Sequence, residues 1–77
     1  MNQSKQRHAE ITSRYLAGKT LNELGSQIDR TRQEVYMWKK GLQSPPAVML
    51  LKVIQSATAV DWVLDWAAEC LKVYLEE

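Results

Sequence analysis

The sequence predicts an all-α protein, a compact domain of five helices. Three observations carry that reading. No stretch alternates apolar and polar residues with the period of two that a half-buried strand requires. Apolar residues recur instead three and four apart, in segments punctuated by Gly18, Gly41 and the pair Pro45-Pro46. Two Thr-x-x-Glu sequences, Thr20 to Glu23 and Thr31 to Glu34, have the form of capping boxes and mark two helix starts only eleven residues apart.

Taken in order, helix 1 is expected from about Lys5 to Ala17. Ile11, Tyr15 and Leu16 share one stripe, Lys5, Arg7 and Glu10 face outward, and Gly18 stands where a C-terminal cap belongs. Helix 2 starts at the first box and runs through Leu21, Leu24 and Ile28 until the second box stops it. Helix 3 buries Val35 and Trp38, three apart, and ends with Gly41 in a left-handed cap and Leu42 folding back as an apolar contact. Ser44-Pro45-Pro46 opens helix 4, since prolines lose nothing in a first turn whose amides are unpaired. Val48, Met49, Leu50, Leu51, Val53 and Ile54 make that helix apolar almost all round, so it is expected to be the central core helix. A C-terminal helix is expected over about 60–76, with Asp61, Asp65, Glu69, Lys72 and Glu76 as its narrow polar stripe. Its apolar residues cover more of the circumference than one contact face needs. That surplus is read as a dimerisation face, with Trp62, Trp66 and Tyr74 in the interface of a homodimer.

Composition bounds the function. Seventy-seven residues make a single domain, 1–77, whose core stabilises it only modestly. With 45% apolar and 25% charged residues and no low-complexity tract, the chain is expected to fold rather than remain disordered. The longest apolar run, Ala47 to Leu51, is too short to span a bilayer, and the polar N-terminus has no signal-peptide core. No membrane association is expected, and a cytoplasmic location, in bacterial cytosol or nucleoid, is. Cys70 is the only cysteine, which excludes an intrachain disulfide and a multi-cysteine zinc site. His8 and Cys70 lie in the two terminal helices and would need a tertiary coincidence to act together, so a small buried thiol is expected. With no Gly-rich phosphate loop and no metal-ligand cluster, the expectation is no catalytic residue, no metal, no cofactor, no small-molecule ligand and no enzyme.

The net charge of +1 conceals an asymmetry. Residues 1–43 carry eight Lys/Arg against four Asp/Glu, net +4, and residues 44–77 carry two against five, net −3. A polyanion is attracted to the first half and repelled by the second.

Two short helices joined by a very tight turn, about residues 20–41, form the helix-turn-helix arrangement, whose second helix enters the major groove of DNA. Residues 20–56, "TLNELGSQIDRTRQEVYMWKKGLQSPPAVMLLKVIQS", resemble the DNA-binding domain of the Cro and CI type phage repressors, the xenobiotic-response-element-like group. The likeness runs through Leu24, Gly25, Ile28, Val35, Trp38, Gly41, Pro46 and Leu50-Leu51, and "VDWVLDW" is similar to the fifth helix of those domains. Asp29 stands at a turn position that is usually glycine, and it tolerates a left-handed backbone better than most residues. Arg30 follows in place of an aliphatic residue, and Leu21 stands where a phosphate-binding Gln is common. Lys39 replaces an acidic residue that pairs with an Arg of helix 1, so Arg14 has no such partner there.

With Val35, Trp38 and Leu42 turned inward, Arg32, Gln33, Tyr36, Met37 and Lys40 fall on the outer half of helix 3 at about 100° per residue. Arg32, Gln33, Tyr36 and Met37 are the expected base contacts: Arg32 to guanine, Gln33 to adenine, Tyr36 or Met37 against a thymine methyl. Lys19, Thr20, Asn22, Arg30, Lys40 and Gln43 are the expected contacts to the DNA backbone. The resemblance implies a dimeric regulator of a double-stranded DNA operator, a phage or prophage type repressor. An activator resembling the CII proteins of lambdoid phages stays open. So does an anti-repressor or adaptor that uses the same scaffold to grip a protein. The homeodomain-like helix-turn-helix of transposases and small terminase subunits, which "YLAGKTLNELG" resembles, is disfavoured by Pro45, Pro46 and the apolar helix after them.

Overall fold

A computed structural model describes residues 3–76. Those residues form five helices and no strand: α1 (Ser4–Tyr15), α2 (Leu21–Ile28), α3 (Arg32–Lys39), α4 (Ala47–Gln55) and α5 (Asp61–Leu75). None of the helices is long and apolar enough to cross a membrane.

Both Thr-x-x-Glu sequences close reciprocally. The Glu23 amide donates to Thr20 Oγ1 at 3.2 Å and the Thr20 amide to Glu23 Oε1 at 3.3 Å; Thr31 and Glu34 repeat the pattern at 3.1 Å each way. Each box satisfies amides that the first turn of a helix leaves unpaired. Between them Asp29 takes the left-handed conformation, φ 57° and ψ 46°, and the Arg30 amide donates to the Gly25 carbonyl at 2.9 Å. That bond pulls the chain back across α2 so tightly that a β-carbon on Gly25 would lie 2.6 Å from the Arg30 carbonyl oxygen. Only glycine fits there.

At the end of α3 the backbone makes the two bonds of a Schellman closure, Gly41 amide to Trp38 carbonyl (3.1 Å) and Leu42 amide to Met37 carbonyl (2.9 Å), with Gly41 at φ 76°. The Leu42 side chain does not follow. It is 55% exposed, so the inward Leu42 expected from the sequence is corrected: the backbone bonds alone close the helix. The prolines also sit one step earlier than expected. Pro46 is the extended N-cap of α4 and Pro45 is buried before it, so neither lies in the first turn.

The central helix is α5, not α4. Val63, Trp66, Ala67, Cys70 and Val73 of α5 are all essentially inaccessible, because α1 packs along one side of the helix and α4 along another. Helix α4 buries only Met49, Leu50 and Val53, leaving Val48 (66%), Leu51 and Ile54 exposed. Much of the apolar breadth of α5 is thus consumed inside the chain, with Trp62, Leu64, Leu71 and Tyr74 half-buried and Leu75 exposed. Trp66 is completely buried, its ring stacked on Trp38 at 5.8 Å between centroids, and this corrects its expected place in a dimer interface.

The seam between α1 and α5 is polar in part. Ser4, His8 and Thr12, four apart on α1, are its most buried residues, whereas the expected Ile11 and Tyr15 are only half-buried. Thr12 Oγ1 accepts from Trp66 Nε1 at 3.0 Å, and His8 Nε2 lies 2.8 Å from the Cys70 carbonyl oxygen. His8 Nδ1 meets Ser44 Oγ at 3.0 Å, and the Tyr74 hydroxyl donates to the Pro45 carbonyl at 2.6 Å. These contacts pin the loop between α3 and α4 to the terminal helices.

Candidate nucleic-acid interface

The capping box of α3 turns its first residues, Arg32 and Gln33, into solvent, because Val35 and Trp38 hold the opposite side of the helix in the core. One turn on, Tyr36 is 40% exposed. Arg32, Gln33 and Tyr36 meet Leu21, the first residue of α2, around a cleft of about 180 Å³. Three of the four expected base contacts therefore converge, and Leu21, which also packs against the core, joins them. Met37 is half-buried and does not line the cleft.

The expected backbone contacts divide into three groups. Thr20 and Asn22 flank Leu21 at the start of α2, both exposed, with the Thr20 side chain committed to its cap. Near them the Lys19 Nζ rides 4.9 Å from the ring centroid of the half-buried Trp62. Lys40 and Gln43 are exposed beyond the other end of α3, with Lys40 Nζ 5.8 Å from the Tyr36 ring. Arg30 is the outlier. Its guanidinium bonds Glu34 at 3.1 Å and lines a separate groove of about 630 Å³ shared with Asp29, Met49 and Lys52. The backbone amide of Thr31 and then the Arg30 guanidinium hold the Glu34 carboxyl below its ordinary range.

Lys5, in sequence only an outward residue of the first helix, joins the Lys40 end of α3. Gly41 approaches the start of α1 closely, with an added β-carbon 3.7 Å from the Lys5 carbonyl, so Lys5, Gln6 and Lys40 border one groove of about 370 Å³. No local pattern signals this, since it depends on how α1 packs against α3.

Part of the charge asymmetry is internal. Arg14 and Tyr15 both donate to the Glu69 carboxylate, and Arg7 pairs with Glu76 at 2.6 Å. Tyr15 and then Arg14 hold the Glu69 carboxyl below its ordinary range, and the same bond raises the Tyr15 hydroxyl. Arg14, deprived of a partner at Lys39, takes one from α5. Among the described residues the cations of the first half left out of ion pairs are Lys5, Lys19, Arg32, Lys39 and Lys40, four of them on α3, its C-terminus or the adjoining start of α1.

His8 and Cys70 do meet, but through the Cys70 backbone carbonyl. Burial pushes the thiol up to about 12, which leaves it protonated and unreactive at neutral pH. Trp62 and Tyr74, expected in an interface with Trp66, are each half-buried within the chain. No family model, curated protein or solved structure matches the chain.

Proposed function

We propose that the protein is a sequence-specific double-stranded DNA-binding regulator, a repressor of the phage type, in which α2 and α3 act as a helix-turn-helix and α3 reads the major groove. The observation that carries this is the convergence of Arg32, Gln33 and Tyr36 on the exposed side of a helix whose other side is locked into the core. A guanidinium fork, a carboxamide and an aromatic ring are the groups that match guanine, adenine and a pyrimidine methyl. Support also comes from the unpaired Lys39 and Lys40 at the end of α3, with Lys5 across the groove, a row of cations suited to phosphates.

The reading is tested with duplexes enriched from a randomised pool. Arg32→Ala and Gln33→Ala should each weaken binding to the enriched sequence by about 1 to 3 kcal/mol and leave binding to random DNA nearly unchanged. Equal losses on both would remove base reading from these residues.

Two copies acting together would offer two recognition helices to half-sites one turn apart. The exposures favour the outer side of α4, with Val48, Leu51 and Ile54, over the tryptophans as the pairing surface. Leu51→Glu should convert a dimer to a monomer in sedimentation with its helical circular dichroism intact. A monomeric wild-type protein at tens of micromolar would count against pairing.

A further inference from the structure

The cleft between the two helix starts has mixed walls. Leu21 and the Tyr36 ring are apolar, while Arg32 and Gln33 bring donors to the same opening. Leu21 is half-buried and Tyr36 is 40% exposed, so a small apolar group entering here would cover surface that is now wet. A phosphate is the poorer occupant of the Leu21–Tyr36 side, where no donor replaces the water an anion would lose; the donors of Arg32 and Gln33 stand on the other side. Among the groups that base edges present in the major groove, one is apolar: the methyl on C5 of thymine, which 5-methylcytosine carries at the same position. Beside it, guanine offers O6 and N7, the acceptors that suit the fork of Arg32.

We infer that the Leu21–Tyr36 cleft receives the C5-methyl group of a pyrimidine lying next to a guanine, and that Leu21 is a specificity-determining residue. The inference rests on the DNA-binding reading above. It gives Leu21 a role distinct from phosphate contact: a side chain of α2 joins α3 in reading sequence.

The test leaves the protein untouched. In a duplex enriched by the wild-type protein, each thymine is replaced singly by deoxyuridine, which removes only the methyl. One position should bind about fourfold more weakly, the equivalent of one buried carbon. Cytosine at that position should weaken binding, and 5-methylcytosine should recover about fourfold over cytosine; comparing it with thymine tells which pyrimidine is preferred. In Leu21→Gln, with melting and circular dichroism recorded, the thymine-to-uracil ratio should fall to about one. A duplex that is enriched and bound yet indifferent to every methyl overturns this inference and leaves the DNA-binding reading standing. So does a methyl effect that persists undiminished in a folded Leu21→Gln, or in Leu21→Ala if the Gln variant does not fold. Failure to enrich any sequence overturns the reading itself, and the inference with it.

Discussion

Trp66 illustrates how far single residues could be read. Its spacing from Trp62, one helical turn, puts two large rings on α5, and Trp66 disappears entirely while Trp62 stays half-buried. Burial is possible because Trp38 supplies a flat face to stack on and Thr12 supplies an acceptor for the indole N–H. Trp66→Phe should therefore cost about 2 to 4 kcal/mol in denaturant unfolding, from lost volume and a buried threonine hydroxyl deprived of its donor. A change under 0.5 kcal/mol would show the bond to be incidental. Thr12 and His8 were illegible for a related reason. A polar residue four from another on a helix reads as a solvated stripe, and only the partners brought by α5 make burial tolerable. Asp29 was legible only in part: the capping boxes imply a tight turn, the resemblance puts Asp29 where glycine is usual, and its short polar side chain does adopt the left-handed backbone there.

At the scale of elements, what local rules govern was readable. The starts of α2 and α3, the left-handed Gly41 and the start of α5 at Asp61 follow from capping, glycine and periodicity. What depends on neighbours was not. Helix α4 has the most apolar sequence but lies at the edge, because the longer α5 receives both α1 and α4. Leu21 packs against the core as one of the apolar residues of α2, and its additional place in the cleft follows from the angle at which α3 meets α2. That angle depends on the turn, and the turn depends on Gly25. Gly25→Ala should lower stability by at least about 2 kcal/mol, since the new methyl meets a backbone carbonyl rather than a movable side chain. Gly18→Ala, with open space around the site but φ 77°, should cost less, about 1 kcal/mol. Reversal of that order in thermal melts would contradict the close approach.

Across the whole molecule, opposite charge at the two ends of the chain serves first as a clasp. Basic α1 is tied to acidic α5 by Arg14 and Tyr15 on Glu69 and by Arg7 on Glu76. The carboxyls of Glu34, Glu69 and Glu76 are held below their ordinary value of 4.5, so they release protons more readily folded than unfolded. Their contribution is present above about pH 4.5 and is lost as pH falls through the depressed values. Tyr15 has the opposite sense: raised from 10, it stabilises below pH 10 and ceases to as pH climbs through its folded value. Melting temperature should be level through the neutral range and fall at both ends. The slopes should be shallow, because these side chains are largely in water. Glu69→Gln should reduce both slopes together; a change at the acid end alone would separate Tyr15 from the clasp.

With those cations engaged, the ones left over stand mainly around α3, and the central claim is that they and the α3 side chains bind DNA by sequence. The most direct measurement is equilibrium binding of the wild-type protein to an enriched duplex and to a scrambled copy, each across a series of salt concentrations. The account predicts at least about a thousandfold preference for the enriched duplex. It also predicts log affinity falling linearly with log salt, with the slope shallower by about one in Lys40→Ala and in Lys5→Ala. Equal affinity for the two duplexes, or binding that does not weaken as salt rises, would contradict it.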